Sequence, residues 1–271
     1  MRRLPKVALH VAAGAAIAAV VLAALPERLA HAPIRTSSAA AMLGDVRPSG
    51  LVTEAFLDDL MGGRRTMAGS GDGSGDGPAL VARDGDEARR LIEREGAGTY
   101  IHDLLASTDS SLTRWPSRAT EPLTYWVQSG AALEGWTVGH RRQVESAFDT
   151  WGGSGIPLAF VPARDSASAD IVVLWRDRFD QPISGRTRWT HDRRGWIRSA
   201  QITLALHRQS GARLEEDAIH ALTLHEIGHA IGMEHTPDAE SVMAPRVRVR
   251  TLSESDRRTA QLLYRIPPGR L

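Results

Sequence analysis

The chain has 271 residues with 33 basic and 32 acidic side chains, for a formal net charge of +1 at pH 7. This near balance excludes a strongly basic nucleic-acid-binding protein. Hydrophobic and charged fractions of 42% and 24% exclude a chain that is disordered throughout. Cysteine is absent, which also excludes disulfides, thiolate zinc sites and a cysteine nucleophile.

The N-terminus has the pattern of an export segment. Three basic residues precede an uncharged run over residues 7–26, which as a helix would extend about 30 Å, enough to cross a bilayer. Ala30-His31-Ala32 fits a small-x-small cleavage pattern. We predict that residues 1–32 are either a signal peptide or an uncleaved membrane anchor. Either would make the protein exported: secreted, periplasmic or anchored to the outer face of the cytoplasmic membrane.

Residues 33–111 are predicted to be a linker followed by a small helical pro-segment or spacer. The tetrad Gly-Ser-Gly-Asp occurs twice over residues 69–76, a pattern typical of a flexible linker. Arg64-Arg65 is a candidate processing site within this linker. Helical patterns fall at residues 53–61, 86–95 and 100–106.

The pattern changes near residue 112, and residues 112–271 are predicted to form one α+β domain. Apolar residues recur with helical spacing in three segments, 138–151, 217–231 and 253–264. Short β-rich runs occur at 123–128, 158–161 and 171–175, and two more, 187–191 and 196–206, flank the turn Asp192-Arg193-Arg194-Gly195. This order predicts a sheet with one face covered by helices.

One segment carries a metal-binding pattern, His225-Glu226-Ile227-Gly228-His229-Ala230-Ile231-Gly232-Met233-Glu234-His235. Positions i and i+4 share a helix face, so His225 and His229 can bind one ion. Gly232 allows the chain to turn back and bring in His235 as a third ligand. Three neutral imidazoles leave a fourth zinc position for water, so we predict one catalytic Zn²⁺. Glu226 would accept the proton of that water and pass it to a leaving amine.

At these residues the chain resembles the metzincin zinc proteases. The segment Ser241-Val242-Met243-Ala244-Pro245 follows, and Met243 matches the methionine of the turn that lies beneath the zinc in that clan. This segment and Leu252-Ser253-Glu254-Ser255-Asp256, which opens the last predicted helix, narrow the resemblance to the matrixins, particularly their minimal bacterial relatives. The resemblance covers about residues 112–271 and is specific only in the C-terminal part.

The resemblance implies a metzincin-like catalytic domain with a mixed, mostly parallel five-stranded sheet, an active-site helix and a C-terminal helix. It also implies that an extended substrate pairs with an edge strand. We expect residues 200–206 to be that edge, with Ile202 and Leu204 binding substrate. Pro245 and Val247 are expected to shape the pocket beyond the scissile bond.

Matrixin pro-segments often block the zinc with a cysteine, and this chain has none, so latency would need another ligand. Asp103 is a candidate blocker, although a solvated helix charge is the favoured interpretation. The spacing of His191, His207 and His220 fits no structural zinc pattern. A Ca²⁺ site is possible but unsupported, and Asp165, Asp170 and Asp177 are interpreted as solvated loop carboxylates. The basic segment 246–250 is predicted to face solvent with alternating burial, and a preference for acidic substrates is a further hypothesis.

We therefore predict an exported zinc metalloendopeptidase that acts on protein or peptide substrates, binds no nucleic acid and meets the membrane only through its N-terminal segment. One alternative is a catalytically inactive module that binds zinc or peptide, which the intact Glu226 disfavours. Another is a zinc hydrolase of a non-peptide substrate, because a fold alone does not define the bond that is cleaved.

Overall fold

The computed structural model describes residues 47–53 and 84–271. The predicted export segment and the Arg64-Arg65 processing site lie outside these residues. So does the helix predicted at 53–61, except for Thr53, which ends a strand. No helix in the part of the chain that the structure describes combines the length and apolar character that a membrane crossing requires.

The described chain contains both strands and helices. The strands are β1 (Arg47–Thr53), β2 (Ser111–Leu112), β3 (Arg118–Val127), β4 (Leu158–Pro162), β5 (Ile171–Arg176), β6 (Ile183–His191), β7 (Ile197–Ala205) and β8 (Gly269–Arg270). The helices are α1 (Gly85–Glu95), α2 (Ile101–Ser107), α3 (Val138–Gly152), α4 (Glu216–Ala230) and α5 (Glu254–Leu263). The turn predicted at residues 192–195 joins β6 to β7, and Gly195 adopts a φ of 83° in it.

The main sheet has the strand order β1-β6-β7-β5-β3-β4. Its pairs β3–β4, β3–β5 and β5–β7 are parallel, whereas β6–β7 is antiparallel. Strands β3 to β7 therefore form the mixed, mostly parallel five-stranded sheet that the resemblance implied, and the α+β class is confirmed. Strand β1 adds a sixth strand, antiparallel to β6.

Helices α3 and α4 pack against each other, and α4 also contacts β6 and β7. Helix α3 begins where the Thr137 hydroxyl accepts a hydrogen bond from the N–H of His140, and it ends at Gly153. Its apolar residues at helical spacing, including Phe148 and Trp151, are fully buried. The active-site helix predicted from the sequence corresponds to α4, which packs against both α3 and the sheet.

Helices α1 and α2 share this hydrophobic core. Leu91, Ile101 and Leu104 are buried in the same cluster as the side chains of α3, α4 and α5. The hydroxyl of Tyr100, just before α2, donates a 2.9 Å hydrogen bond to Asp256 in α5. The domain boundary predicted between residues 111 and 112 therefore falls within one continuous core.

Candidate metal centre

The metal-binding segment lies on a helix that is buried for nearly its whole length. His225, Glu226 and His229 of α4 each have 0% exposure. Two tryptophans hold the helix by donating from Nε1 to its main-chain carbonyls: Trp151 to Leu224 at 2.9 Å and Trp115 to Ala230 at 2.8 Å. These hydrogen bonds to buried tryptophans fix the helix backbone next to His225 and His229.

The chain leaves the helix through Gly232, as the sequence predicted. Gly232 has a φ of 100°, and a Cβ atom there would lie 2.0 Å from the main-chain oxygen of Thr113. A side chain is thus excluded both by backbone conformation and by space. The turn brings His235 back to the two helical histidines, with its Nε2 3.3 Å from Nε2 of His225.

Three imidazoles converge through their Nε2 atoms. Nε2 of His229 lies 3.0 Å from Nε2 of His225. On the opposite side of each ring, Nδ1 of His225 lies 2.6 Å from the carbonyl oxygen of Val242, and Nδ1 of His229 lies 2.9 Å from that of Met233. A carbonyl can only accept, so both Nδ1 atoms carry the proton and both neutral rings direct an unprotonated Nε2 at the same point.

This arrangement fits a zinc ion. Two bare Nε2 acceptors at 3.0 Å cannot hydrogen-bond to each other, so they need a cation between them. Tetrahedral zinc with Zn–N bonds of about 2.0–2.1 Å would separate two ligand nitrogens by roughly 3.3 Å. In the part of the chain that the structure describes, His225, His229 and His235 are the one group of three metal-ligand side chains that lie within 4.8 Å of one another.

The electrostatic environment keeps the three rings neutral. Burial, together with His235, lowers the pKa of His225 to about 3. Burial and the neighbouring histidines hold the pKa of His229 well below its usual value, and burial also lowers the pKa of His235. Neutral imidazole is the form that binds metals, so no proton competes with the ion near neutral pH.

Glu226 is held by a strand rather than by its own helix. The Thr187 hydroxyl in β6 lies 2.5 Å from Oε2 of Glu226 and 2.9 Å from its main-chain oxygen. Oε1 is buried and has no hydrogen-bond partner among the described residues. Gly185 leaves room for this carboxylate, since a Cβ there would lie 2.2 Å from Oε1. Burial raises the pKa of Glu226 well above its usual range, and Thr187 and Arg186 oppose this rise.

Met243 lies directly against the helix that carries His225 and His229. A Cβ on Gly228, between the two helical ligands, would lie 2.3 Å from Sδ of Met243. The same turn carries Val242, whose carbonyl orients His225. The turn thus contacts the helix through Met243 and the His225 ring through Val242.

A buried carboxylate holds the methionine turn in place. Asp256 of α5 accepts hydrogen bonds from the hydroxyls of Ser241 and Tyr100 and, at 3.2 Å, from the N–H of Val242. Asp256 also closes the capping box of α5 with Ser253. The same residue thus begins the C-terminal helix and positions the loop that orients His225.

The structure contradicts the predicted substrate edge. Strand β7 is paired with β5 on one side and β6 on the other, so residues 200–206 are not an edge. Ile202 and Leu204 are fully buried in the core and cannot present their side chains to a substrate. Their predicted substrate-binding role is therefore wrong, because strand alternation reports burial but not position in the sheet.

The remaining predicted residues lie as follows. Val247 is fully buried, whereas Pro245 is exposed, so only Pro245 presents its side chain at the surface. Arg246 and Arg248 are exposed on either side of Val247, in agreement with the predicted alternating burial. Asp103 accepts a 3.0 Å hydrogen bond from Thr236, next to the third ligand, and so supports the loop instead of blocking the metal. His191, His207 and His220 lie outside the metal cluster.

Three residues that contact the site carry no sequence pattern that assigns them to it: Gly185, Thr187 and Asp256. Thr187 lies 39 positions from Glu226, and no local pattern connects the two. Asp256 had a weak signal, because it follows Ser253 at capping-box spacing, but its contact with the methionine turn depends on packing.

Sequence comparison agrees with this geometry. The family model for matrixins matches residues 114–265, which is more than half of the chain. No curated protein sequence matches the chain. The matched range includes the three histidines, Glu226 and Met243, and it excludes β1, α1 and α2.

Proposed function

The chain belongs to the matrixin family of zinc metallopeptidases, and from this membership we propose that it is a zinc-dependent endopeptidase with Glu226 as its general base. One observation carries the proposal: the Nε2 atoms of three histidines converge, and Glu226, the residue after the first of them, is buried with one carboxylate oxygen that has no partner among the described residues. This combination offers both a metal site and a proton acceptor.

The chemistry divides between the metal and the protein. Zinc held by His225, His229 and His235 would supply a Lewis acid that polarises a water molecule and the scissile carbonyl. Glu226 would accept the proton of the attacking water at Oε1 and deliver it to the leaving amine. Thr187 holds the other oxygen and so orients the carboxylate. A pKa raised by burial suits a group that must accept and then release a proton.

We propose that peptide substrates bind in extended form along β6. This strand carries Gly185 and Thr187 beside Glu226. A peptide can add to β6 only on the side facing away from β7, which is the side on which β1 pairs. An extended peptide paired there would run past the carboxylate. The side of β6 that β1 occupies thus lies beside the candidate base, whereas β7 is enclosed by β5 and β6.

Export remains a proposal that depends on residues 1–32 alone. A mature protein beginning near residue 33 would indicate a cleaved signal peptide, and an intact N-terminus in the membrane fraction would indicate an anchor. N-terminal sequencing after cell fractionation distinguishes the two. A chain that stays entirely in the cytoplasm would contradict both.

The catalytic proposal is tested with zinc-loaded protein and a mixed peptide library. Glu226→Gln should retain one zinc per chain and lose about 10²- to 10⁴-fold in kcat/KM, the range expected for general acid–base catalysis. Glu215→Gln, an exposed residue preceding the same helix, is the matched control and should cleave at the wild-type rate.

The other outcomes identify the alternatives. Wild-type protein that binds zinc but cleaves no peptide, even after its N-terminal region is released, would indicate an inactive binding module. Cleavage of ester or amide model compounds without cleavage of peptides would indicate a non-peptide hydrolase. Full activity of Glu226→Gln would show that another group is the base.

A further inference from the structure

The edge on which substrate is proposed to bind is covered by a segment of the same chain. Strand β1, residues 47–53, pairs antiparallel with β6 from Ile183 to Trp189. Without β1, β6 would end the sheet on this side. The chain thus provides its own extended peptide for the surface that the proposed function assigns to substrates.

The covered part of β6 is the part beside the candidate base. Ser49 pairs with Thr187, which holds Glu226, and Val52 pairs with Gly185, which makes room for the carboxylate. Strand β1 also contacts α4, the helix that carries Glu226. A substrate that adds to the same edge would therefore have to displace β1.

The pairing is irregular at this point. Gly50 has no partner, because Ser49 pairs with Thr187 while Leu51 pairs with the adjacent Arg186. An extra residue of this kind bends a strand and interrupts its ladder of hydrogen bonds. Residues 47–53 thus cover β6, but their backbone departs from regular pairing next to Thr187. A substrate would need regular pairing at this position to be held accurately for cleavage.

We propose that residues 47–53 are an internal, uncleaved occupant of the peptide-binding edge of β6 and compete there with substrate. This inference rests on the proposed function, and it identifies residues 47–53 as the regulator of the proposed peptide-binding site. The mechanism needs no cysteine, in agreement with a chain that contains none. A tethered segment acts at an effective concentration of about 1 mM, so even weak pairing can raise the apparent KM by roughly tenfold.

The test removes the pairing from the full-length chain. Adjacent residues of a strand direct their N–H groups to opposite sides, so replacing both Leu51 and Val52 by proline removes an N–H facing β6 whichever of the two supplies it. The double variant Leu51→Pro/Val52→Pro is compared with Leu51→Ala/Val52→Ala, which keeps both N–H groups. Both changes lie in β1, the outermost strand on this side of the sheet, and outside the histidine cluster.

The first readout is independent of activity. Hydrogen exchange of the β6 amides, residues 183–191, should be faster in the proline variant than in the alanine variant, with unchanged protection of α4. Equal protection of β6 in both variants would overturn the proposal. This result would stand even if the protein cleaves no peptide, so failure of docking and failure of the proposed peptidase activity are distinguishable.

The second readout is kinetic. The proline variant should show an apparent KM about tenfold lower than the alanine variant, with the same kcat, because a competing segment affects only access. A synthetic peptide of residues 47–53 should restore the higher KM, and a scrambled peptide should not. An unchanged KM would overturn the proposal. Cleavage within residues 47–53 on zinc loading, detected by mass spectrometry, would also overturn it, because the segment would then be a substrate.

Discussion

The hydroxyl of Thr187 lies 2.5 Å from Oε2 of Glu226, so the strand proposed to bind substrate also holds the candidate base. This contact joins β6 to α4 at the position where β1 pairs with Thr187. In the proposed mechanism, Thr187 therefore serves both peptide positioning and proton transfer.

Thr187→Val should lower kcat/KM about tenfold while zinc content stays at the wild-type level. Valine has nearly the same shape but donates no hydrogen bond, and losing a bond to the charged form of a carboxyl raises its pKa. The acid limb of the pH–rate profile should therefore move to higher pH. The control is Thr190→Val, which lies on the same strand as Thr187 and removes a hydroxyl hydrogen-bonded to Ser199 of β7. An unshifted acid limb would show that Thr187 does not act on the base.

Gly228→Ala should destabilise the protein by about 1–3 kcal/mol and weaken zinc binding, because the added methyl group would overlap Sδ of Met243. The displaced turn carries Val242, which orients His225. Gly152→Ala is the matched control, since its nearest new contact is an ordinary 3.7 Å approach to Phe160. Urea unfolding and zinc titration measure the two effects. Equal stabilities for the two variants would contradict the packing argument.

Asp256→Asn should cost about 2–5 kcal/mol of unfolding free energy, because the amide cannot accept all the hydrogen bonds that the carboxylate now receives. Zinc affinity should fall as well, since Asp256 holds the turn that orients His225. Tyr100→Phe removes only one of these bonds and should cost about 1 kcal/mol without changing zinc affinity. Wild-type zinc affinity in Asp256→Asn would disprove the link from α5 to the metal ligands.

Stability should decrease as the pH rises above about 10, the ordinary pKa of tyrosine. The chain has three tyrosines, Tyr100, Tyr125 and Tyr264, and burial raises the pKa of each; that of Tyr125 rises to about 12. Above pH 10 the unfolded chain loses tyrosine protons that the folded chain keeps. Stability is therefore fully present below pH 10 and is lost as the pH rises towards the folded-state values.

Each tyrosine should contribute a slope of up to about 1.4 kcal/mol per pH unit. Unfolding in urea at a series of pH values, with tyrosinate absorbance as a second signal, measures the effect. Tyr125→Phe should reduce the slope of the unfolding free energy against pH above pH 10 by the contribution of one tyrosine. A free energy of unfolding that stays constant from pH 9 to pH 11 would contradict the prediction.

Much of the catalytic domain could be predicted because its signals are local. The helices at 138–151, 217–231 and 253–264 agree with α3, α4 and α5 to within one or two residues, since apolar residues recur at helical spacing and caps mark the ends. The metal ligands were predictable for the same reason. His225 and His229 lie one helical turn apart, and Gly232 allows a turn that brings back His235.

The sequence by itself therefore determined the ligand set, the candidate base and the methionine turn. Only the tertiary structure decided which strand lies at the edge, because a strand's alternation specifies its faces and not its neighbours in the hydrogen-bonding direction. It likewise decided that Thr187 holds Glu226, that Asp256 holds the turn and that residues 47–53 cover β6. Each of these contacts joins residues far apart in the chain, and packing of the whole domain brings them together.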